Sequence, residues 1–485
     1  MNTIILAAIL SSSSLASLGC QSIPTTNTEP TATENTPMVL DGSPDEWDRP
    51  NSGYADGHAI YLNFSPKTDF PSAIQAAPYT TRIRIDADQN PKTGRPMRWM
   101  SLTAMVQEPQ GVDLLVELSP KNEQGTIGIG SSVIEYDQSG NPTYTGHAAL
   151  GFAFLPTYAS TTYEARIDRL APGAALLANA GPIDIVIDQI DEDGRFLWST
   201  TIVLDLPKIT QSPKPDVAIP EKPKKSVRVM SSNVLFSSPL KNPEPFARVL
   251  DAIDPDVILY QEWFNTPIEK VQGWLDTHAG KGWSVHMPSS KAGVAIATRN
   301  RVITTYDTVI AESGTGRPAR VVAALIDTDA GELLAISIHL KCCGNAGSSE
   351  DAKRIDQAKS INAFVRFVHE QHPRAKVVIA GDFNLVGSYE PMATMVEGLG
   401  KRGRDLSTVE AQQLGDASMI TWKDEKSRFS PGRLDWMLID ESMSKAVNAF
   451  ILDTRTLSDA SLRRMKLEPD DSKASDHLPI VIDLK

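Results

Sequence analysis

The sequence predicts a two-domain protein, with an all-β sandwich first and an α/β domain second. At 485 residues, the chain is longer than one ordinary hydrophobic core accommodates. A stretch rich in proline and lysine, 206–226, interrupts it. Apolar residues alternate with polar ones before this stretch, whereas strand-like runs alternate with helix-like runs after it. We therefore expect one domain on each side of it.

Composition narrows the class of protein. Hydrophobic residues make up 41% of the chain and charged residues 22%, which is typical of a soluble globular protein. The formal net charge of −13 at pH 7 argues against a protein that coats nucleic acid through basicity alone. It does not exclude an enzyme that touches a short piece of nucleic acid.

Residues 1–20 predict an export signal. A short apolar run, 4–10, leads through small residues to Leu18-Gly19-Cys20, which resembles a bacterial lipoprotein signal. Ser17 stands where that pattern prefers leucine, and no basic residue precedes the run. We expect an exported lipoprotein anchored at Cys20, in the periplasm, the outer membrane or at the cell surface, with plain secretion as the alternative. Membrane contact is expected only through this anchor.

Three further segments follow from composition and pattern. The polar residues 21–37 predict a disordered tether. Residues 38–205 predict the β-sandwich, because "TTRIRID" and "IDIVIDQI" alternate apolar with polar side chains between frequent turn residues. The prolines and lysines of 206–226 predict a semi-stiff linker that adds nothing to a core.

The first domain is similar to DOMON and carbohydrate-binding sandwich modules. The likeness lies in "LDGSPDEW" at 40–47 and in "IDADQNPKTG" at 85–94, which leads into "GVDLLVEL". It implies a glycan or cell-surface ligand as a partner of this domain. Trp47 and Trp99 are candidate stacking residues, although core packing is the favoured role for both.

One turn of the first domain raises the question of calcium. Asp86, Asp88 and Asn90 place oxygen atoms at alternate positions. Pro91 stands where a calcium-binding EF-hand loop requires glycine, and Met97 stands where it requires glutamate. A turn closed by side-chain hydrogen bonds explains the same residues, and we favour it over a Ca²⁺ site.

The second domain, 227–485, alternates predicted strands with helices. A helix is predicted over 349–369, with an apolar stripe and with Ser348 and Asp351 forming its capping box. Arg354 and Gln357 on this helix are expected to be solvated. The strand-like segments are "VRVMSSNV", "DVILYQE", "GVAIAT", "LLAISIHL" and "KVVIAGDFN".

Polar side chains follow these predicted strands where each strand ends. Acids, amides and imidazoles recur there, at Asn233, Glu262, His339, Asp382, Asn384, Asp476 and His477. Sites in α/β domains assemble at strand ends, because the sheet fixes the backbone while the loops expose side chains. Carboxylate and amide oxygens suit Mg²⁺ or Mn²⁺, so the sequence predicts a metal-assisted, phosphate-handling site.

Six ordered motifs carry a resemblance to a known family. They are "SSNV", "LYQE", "ISIHL", "GDFN", "GRLDWMLI" and "SDHLP". Together they resemble the endonuclease/exonuclease/phosphatase superfamily, whose DNase I-like fold is a four-layered α/β-sandwich. The resemblance implies Asn233, Glu262 and Asp476 as metal ligands. It implies His339, Asp382, Asn384, Asp435 and His477 as catalytic residues.

The resemblance also implies a role for each catalytic residue. Asp382 would orient or deprotonate the attacking water, and Asn384 would bind a phosphate oxygen. His477, held in its tautomer by Asp435, would donate to or stabilise the phosphorus centre. His339 would serve the leaving group or a second phosphate oxygen. A phosphodiester is already anionic, so attack on it requires such neutralising and proton-transferring groups.

The adjacent cysteines, Cys342 and Cys343, are open to two interpretations. Their Cα atoms lie about 3.8 Å apart across a trans peptide, which is below the usual disulfide range. A strained vicinal disulfide and two free thiols both fit the sequence.

Three functions compete on the sequence alone. The leading hypothesis is an exported Mg²⁺-dependent phosphodiesterase acting on nucleic acid, for which the basic residues Lys401, Arg402 and Arg404 could be a contact. The second is a sphingomyelinase-like lipid phosphodiesterase, which needs an exposed apolar loop that the sequence does not clearly show. The third is a surface-binding protein with an inactive phosphodiesterase domain.

Overall fold

The computed structural model describes residues 38–66, 72–95, 111–122, 125–210, 214–306 and 319–485. The export signal, Cys20, the tether 21–37, Met97 and Trp99 lie outside the described residues. Within the described part of the chain, no helix combines the length and apolar character needed to cross a membrane.

Strands build the first domain. In its described residues these are β1 Ser52–Ala55, β2 Ala59–Phe64, β3 Thr80–Asp86, β4 Leu114–Leu118, β5 Ser131–Tyr136, β6 Pro142–Thr145, β7 Ala153–Leu155, β8 Tyr163–Asp168, β9 Gly181–Ile190 and β10 Phe196–Leu206. They form two antiparallel sheets, in the orders β1-β2-β8-β7 and β10-β9-β3-β4-β5-β6. Both sheets contribute to one buried apolar cluster, for example through Leu62 of β2 and Ile185 of β9.

Strand β9 confirms the alternation expected from the sequence. Ile183, Ile185 and Ile187 are buried, whereas Asp184 and Val186 between them are half-buried. Side chains on a strand point to opposite faces in turn, so the three isoleucines lie on the core face. Because a shift by one residue would turn all three outward, this pattern fixes the register of β9.

The second domain alternates strands and helices as the sequence predicts. The described strands are β11 Val227–Asn233, β12 Val257–Gln261, β13 Ser284–His286, β14 Ala295–Thr298, β15 Arg301–Tyr306, β16 Val321–Thr328, β17 Gly331–His339, β18 Lys376–Asp382, β19 Ser407–Thr408, β20 Gln412–Gln413, β21 Asp435–Ile439, β22 Ala446–Ile451 and β23 Ile480–Leu484. The described α-helices are α1 Pro243–Ile253, α2 Ile268–His278, α3 Ser349–Gln371, α4 Glu390–Val396 and α5 Asp459–Met465.

Two sheets organise this domain, in the orders β13-β14-β12-β11-β23-β22-β20 and β15-β16-β17-β18-β21-β19. One buried cluster joins the sheets to each other, with Leu259 of β12 and Val378 of β18 among its members. A second cluster includes Val365 of α3 and Ile379 of β18. A third joins α1, α2 and α5 to the other sheet, for example through Leu275 of α2.

Helix α3 confirms its predicted start and corrects the prediction for its polar face. The side chain of Ser348 accepts a hydrogen bond from Asp351 N, as expected of an N-cap. Arg354 and Gln357, expected to be solvated, are buried. Arg354 donates to the carbonyl oxygen atoms of Lys341 and Cys343. These polar side chains hold the loop after His339. Helical periodicity alone does not predict this role.

The predicted linker lies against the second domain. Val217 and Ile219 pack on the cluster that includes α1, α2 and α5, so the expectation that 206–226 contributes nothing to a core is wrong for these two residues. Val217 N also donates to Ser461 Oγ at 2.8 Å. The segment is therefore attached along the second domain for part of its length.

Candidate active site

Strand register brings the predicted site residues to one end of the second domain. Asp382, at the end of β18, lies opposite His339 of the parallel strand β17 and opposite Asp435 of the antiparallel strand β21. On the other sheet, Asn233 ends β11 beside the end of β12, which Glu262 directly follows. The two sheets thus present their polar strand ends to each other.

Glu262, Asp382 and His477 form the centre of the site. One ligand atom from each lies within 4.8 Å of the others, and all three residues are buried. Asn233 Nδ2 lies 3.2 Å from Glu262 Oε1 and 3.4 Å from Asp382 Oδ2. An amide donor between two carboxylates holds them in place without neutralising their charge.

Glycine is required at position 381, immediately before Asp382. Its φ of +146° lies in a region that side-chain-bearing residues rarely adopt. A Cβ atom there would approach the carbonyl oxygen of Ile338 to 2.0 Å. The glycine of "GDFN" therefore allows β18 to lie close to β17 where the two strands deliver Asp382 and His339.

His477 is paired with Asp435. Its Nδ1 lies 2.7 Å from Asp435 Oδ2, and its Nε2 faces Asp382 Oδ2 at 3.9 Å and Asp476 Oδ1 at 4.0 Å. Burial by itself would lower the pKa of His477, but the charge of Asp435 and its hydrogen bond outweigh burial and raise the pKa to about 10. The imidazole is therefore a cation at neutral pH, with Nε2 aimed into the site.

Asp382 is a buried carboxyl group beside two other acids, Asp435 and Glu262. Burial raises its pKa strongly, and the charges of Asp435 and Glu262 raise it further, while that of His477 acts against them. Asp382 Oδ1 accepts a hydrogen bond from Asn384 N at 2.9 Å, which favours the ionised form. A raised pKa makes the ionised carboxylate a stronger base, so Asp382 is suited to accept a proton once it is ionised.

Asp476 supplies the observation that points to a cation. Its Oδ2 accepts a hydrogen bond from Trp422 Nε1 at 3.0 Å. Its Oδ1 is buried without a hydrogen-bond partner among the described residues. Burial of a carboxylate oxygen without a hydrogen bond costs free energy unless a cation or a water molecule binds it. With Glu262 and Asp382 close by, the oxygen-rich set fits a hard divalent cation.

His339 is buried and neutral. Burial lowers its pKa to about 3, and the charges of Arg320 and His477 act in the same direction. Its Nε2 lies 3.5 Å from Asp382 Oδ2, while its Nδ1 has no hydrogen-bond partner within the described chain. The ring can offer a neutral N–H donor but cannot act as an imidazolium acid near neutral pH.

The two asparagines lie in the site, and their amide groups already have partners. Asn384 Nδ2 donates to the carbonyl oxygen of Leu340 at 3.2 Å. Asn233 Oδ1 accepts from Leu235 N at 3.1 Å, with its Nδ2 turned to the carboxylates. In this position Asn233 orients Glu262. The role of Asn233 as a metal ligand stays a prediction. The phosphate contact predicted for Asn384 likewise stays a prediction.

Sequence reasoning missed two aromatic side chains beside the site. Phe236 is 65% exposed, and its backbone N–H donates to Glu262 Oε2 at 3.0 Å. The ring of Phe236 lies 5.8 Å from that of Phe264, and the exposed Arg320 guanidinium lies 4.8 Å above the Phe264 ring. No periodic pattern marks these residues. Phe236 and Phe264 lie two residues after the motifs "SSNV" and "LYQE", and this position is the available signal for them.

The basic residues considered for nucleic-acid contact lie elsewhere. Lys401, Arg402 and Arg404 are exposed, and Lys401 N donates to Asp440 Oδ2 at 2.8 Å. Asp440 follows the far end of β21, whereas Asp435 begins that strand at the site. This basic cluster therefore does not line the site.

The acidic turn of the first domain differs from the predicted set. Asp86, Asp88 and Asp113 lie close enough together to hold a cation. Asn90, which the sequence suggested as a ligand, instead donates from its N–H to Asp88 Oδ1 at 2.9 Å. Asp88 Oδ1 also accepts from Thr93 Oγ1 at 3.1 Å. These bonds support the interpretation of Asp88 as a turn residue.

The cysteines of the loop after His339 are separate thiols. Cys342 and Cys343 are both free, with their sulfur atoms 2.8 Å apart. Of the two sequence interpretations, the structure therefore has the free-thiol form.

Three solved structures similar to this one each match just over half of the chain. Humanized D. rerio TDP2 is 16% identical, with 54% of this chain and 99% of that chain covered and a TM-score of 0.38. The human Nocturnin catalytic domain is 16% identical, covering 55% and 96%, with a TM-score of 0.39. Sphingomyelinase C from Streptomyces griseocarneus is 14% identical, covering 53% and 99%, with a TM-score of 0.35. No curated protein sequence matches the chain.

A family model matches the part of the chain that contains the site. The model of the Endonuclease/Exonuclease/phosphatase family covers residues 230–477, just over half of the 485 residues. This span begins before Asn233 and ends at His477, so it includes every predicted site residue. The chain therefore belongs to the Endonuclease/Exonuclease/phosphatase family.

Proposed function

We propose that this protein is a metal-dependent phosphodiesterase that cleaves its substrate by in-line attack of water. The observation that carries the proposal is the meeting of Glu262, Asp382 and His477 beside Asp476, whose buried Oδ1 lacks a hydrogen-bond partner among the described residues. Membership of a family of phosphoric ester hydrolases supports the same conclusion. Glu262 and Asp476 are the residues that would hold Mg²⁺, with Mn²⁺ as the alternative.

The chain's own residues divide the chemistry between them. A bound divalent cation would supply charge neutralisation at the phosphate. Asp382, with its raised pKa, accepts the proton of the attacking water. His477 is protonated through its pairing with Asp435 and donates to a phosphate oxygen as negative charge develops. His339 is neutral and contributes an N–H donor on the leaving-group side.

We propose nucleic acid as the first substrate class to test. Exposed aromatic rings next to a cationic side chain are typical of surfaces that stack bases and hold a phosphate backbone. The exposed Phe236, the half-buried Phe264 and the exposed Arg320 form such a surface beside Glu262. Cleavage of single-stranded DNA or RNA that weakens in a Phe236→Ala variant would support this class.

A lipid phosphodiester is the second candidate, and one observation favours it. No exposed apolar loop is clear from the sequence, yet Phe236 is 65% exposed and Leu240 is 42% exposed, four residues apart after β11. An apolar pair at the rim of a site can enter a membrane surface. Hydrolysis of sphingomyelin vesicles with no cleavage of DNA or RNA would show that the substrate class is lipid and not nucleic acid.

The deciding experiment is hydrolysis of an aryl phosphodiester by purified protein with Mg²⁺, with Mn²⁺ and with a chelator. We expect turnover with either ion and none with the chelator. A His477→Ala variant that keeps the wild-type rate would contradict the proposed mechanism. Full turnover in the chelator would contradict the metal dependence.

We also propose the finer architecture expected from the sequence. The apolar cluster common to both sheets supports a β-sandwich for the first domain. The three clusters of the second domain support four layers, helix, sheet, sheet and helix. The domain boundaries, export with a lipid anchor at Cys20, and a glycan or cell-surface ligand for the first domain stay predictions.

A further inference from the structure

The segment 415–433, which connects β20 to β21, is bound by the first domain at its start. Leu40 N donates to the carbonyl oxygen of Ala417 at 3.0 Å, and Met419 N donates to that of Leu40 at 2.9 Å. Leu40 also packs with Ile420 in a small buried apolar cluster. We call 415–433 the bridging segment. Its first residues pair with the first domain in the manner of a short strand.

A salt bridge strengthens this contact. Arg166 Nη1, on β8 of the first domain, lies 2.7 Å from Asp416 Oδ1 and 2.9 Å from Asp416 Oδ2. The Arg166 side chain is 19% exposed and that of Asp416 is 25% exposed. Charged pairs this far removed from water depend on each other, since loss of one partner leaves the other buried and unpaired.

The far end of the bridging segment is bound in the same way. Ser131 N, at the start of β5, donates to the carbonyl oxygen of Arg428 at 2.7 Å. Ser430 N donates to Gln75 Oε1 at 2.8 Å. Both ends of the bridging segment are thus fixed to the first domain by directional hydrogen bonds.

The middle of the bridging segment contacts the active site. Trp422 Nε1 donates to Asp476 Oδ2 at 3.0 Å, and Lys423 N donates to the Asp476 carbonyl oxygen at 2.8 Å. Leu478 N donates to the carbonyl oxygen of Thr421 at 2.7 Å. Residues 421–423 therefore hold both the side chain and the backbone of Asp476.

Two more contacts extend this arrangement. Thr421 Oγ1 accepts a hydrogen bond from Asp435 N at 2.9 Å, and Asp435 is the partner of His477. Thr157 Oγ1 of the first domain donates to the carbonyl oxygen of Leu385, which directly follows Asn384, at 2.7 Å. The first domain thus reaches two loops that carry site residues.

We propose that the first domain is a positioning element of the active site, which acts through Trp422 of the bridging segment to fix Asp476. The proposal rests on the proposed function for its catalytic consequence. With Oδ2 held by Trp422, Asp476 Oδ1 faces the site. A displaced bridging segment would let this carboxylate rotate and would weaken the cation site. Trp422 and Arg166 are positioning residues, because neither is expected to contact substrate.

A charge swap in the full-length protein tests the proposal. Arg166→Asp and Asp416→Arg each break the salt bridge, and the double variant restores it with reversed charges. We expect each single variant to weaken Mn²⁺ binding, measured by calorimetry without substrate, by about tenfold, as loss of an outer partner of a metal ligand does. The double variant should recover most of this affinity. Swapping the Arg299–Asp254 pair of the second domain, whose nitrogen and oxygen lie 2.8 Å apart, is the matched control and should leave Mn²⁺ affinity unchanged.

A second variant removes only the hydrogen bond at the site. Trp422→Phe keeps an aromatic ring but loses the N–H that donates to Asp476. We expect a similar loss of Mn²⁺ affinity with a melting temperature close to that of the wild type. If Arg166→Asp fails to fold, the Mn²⁺ affinity of Trp422→Phe still tests the positioning role.

The outcomes separate this inference from the proposed function. Single-swap and Trp422→Phe variants that keep wild-type Mn²⁺ affinity, with changes in melting temperature alone, would overturn the positioning role. A wild-type protein that binds Mn²⁺ but hydrolyses no phosphodiester would overturn the proposed function. The Mn²⁺ affinities of the variants would still test the positioning role in that case. Absence of Mn²⁺ binding by the wild type would overturn both.

Discussion

Two acidic clusters, one from each domain, differ in how their oxygen atoms are satisfied. In the first domain, Glu164 lies close to Asp41 and Glu46. Its carboxylate accepts hydrogen bonds from Trp47 Nε1 and from Gly42 N. In the second domain, the cluster around Glu262, Asp382 and His477 adjoins Asp476, whose Oδ1 has no hydrogen-bond partner among the described residues.

The comparison teaches that acid clustering alone does not identify a metal site. Buried acids can be stabilised by N–H donors and by holding a proton, as Glu164 is: burial raises its pKa to about 8 despite the hydrogen bond from Trp47. An unpaired buried oxygen alone does not identify a metal site either, because Asp86 Oδ1 of the first domain is also buried without a hydrogen-bond partner among the described residues. The cluster of the second domain differs in having His477 within it. The variants below test this distinction.

The largest effect is expected at the catalytic pair. Asp382→Ala and His477→Ala should each lower kcat/KM for an aryl phosphodiester by about 10²–10⁴-fold, because each removes a proton-transferring group. Asp88→Ala, in the acidic turn of the first domain, is the control and should keep wild-type kcat/KM. A loss of activity in Asp88→Ala equal to that in Asp382→Ala would show that the two acidic regions are not distinct in function.

The next largest effect is expected at a metal ligand. Glu262→Gln keeps the shape of the side chain but removes its charge, so the Mg²⁺ concentration for half-maximal activity should rise by more than about tenfold. The matched variant Asp86→Asn removes a charge from the first domain and should leave this concentration unchanged. Equal Mg²⁺ requirements in Glu262→Gln and the wild type would remove Glu262 from the site.

A smaller effect is expected in the pH profile of Asp435→Asn. The charge of Asp435 and its hydrogen bond raise the pKa of His477 to about 10, so the imidazolium persists well above neutral pH. Without that charge the pKa should fall, and the alkaline limb of kcat/KM against pH should move to lower pH. An Asp440→Asn variant, at the far end of the same strand, should keep the wild-type limb. An unmoved limb in Asp435→Asn would show that His477 is not the acid.

The smallest effect is expected at Glu164. Its pKa is raised from 4.5 to about 8, so the folded protein holds a proton that the unfolded chain releases near 4.5. The free energy of unfolding should therefore fall as pH rises through this window, by at most about 1.4 kcal/mol per pH unit. Glu164→Gln should flatten that slope in urea titrations at several pH values, and the exposed Glu192→Gln should not. An unchanged slope in Glu164→Gln would mean that this carboxyl is ionised in the folded state.

Much of the second domain follows from local sequence pattern. The predicted strands that end near Asn233, Glu262, His339 and Asp382 are all present, as is helix α3. Such patterns can be read because burial repeats every second residue in a strand and every third or fourth in a helix. The convergence of the strand ends follows from parallel and antiparallel pairing within the two sheets.

The missed features depend on contacts between distant parts of the chain. Arg354 was expected in solvent, yet it is buried because the carbonyl groups of a neighbouring loop accept its N–H groups. Trp422 lies in an irregular segment, where no periodicity marks its hydrogen bond to Asp476. The contact of the first domain with 415–433 is likewise a tertiary property. Sequence pattern therefore located the candidate site residues but not the residues that hold them in place.

The most direct test of the central claim is a crystal structure of the protein soaked with Mn²⁺, using anomalous scattering to locate the ion. Our account predicts an anomalous peak within about 2.0–2.2 Å of a carboxylate oxygen of Glu262 and of Asp476. A peak at Asp86, Asp88 and Asp113 instead, with none beside Glu262, would contradict it.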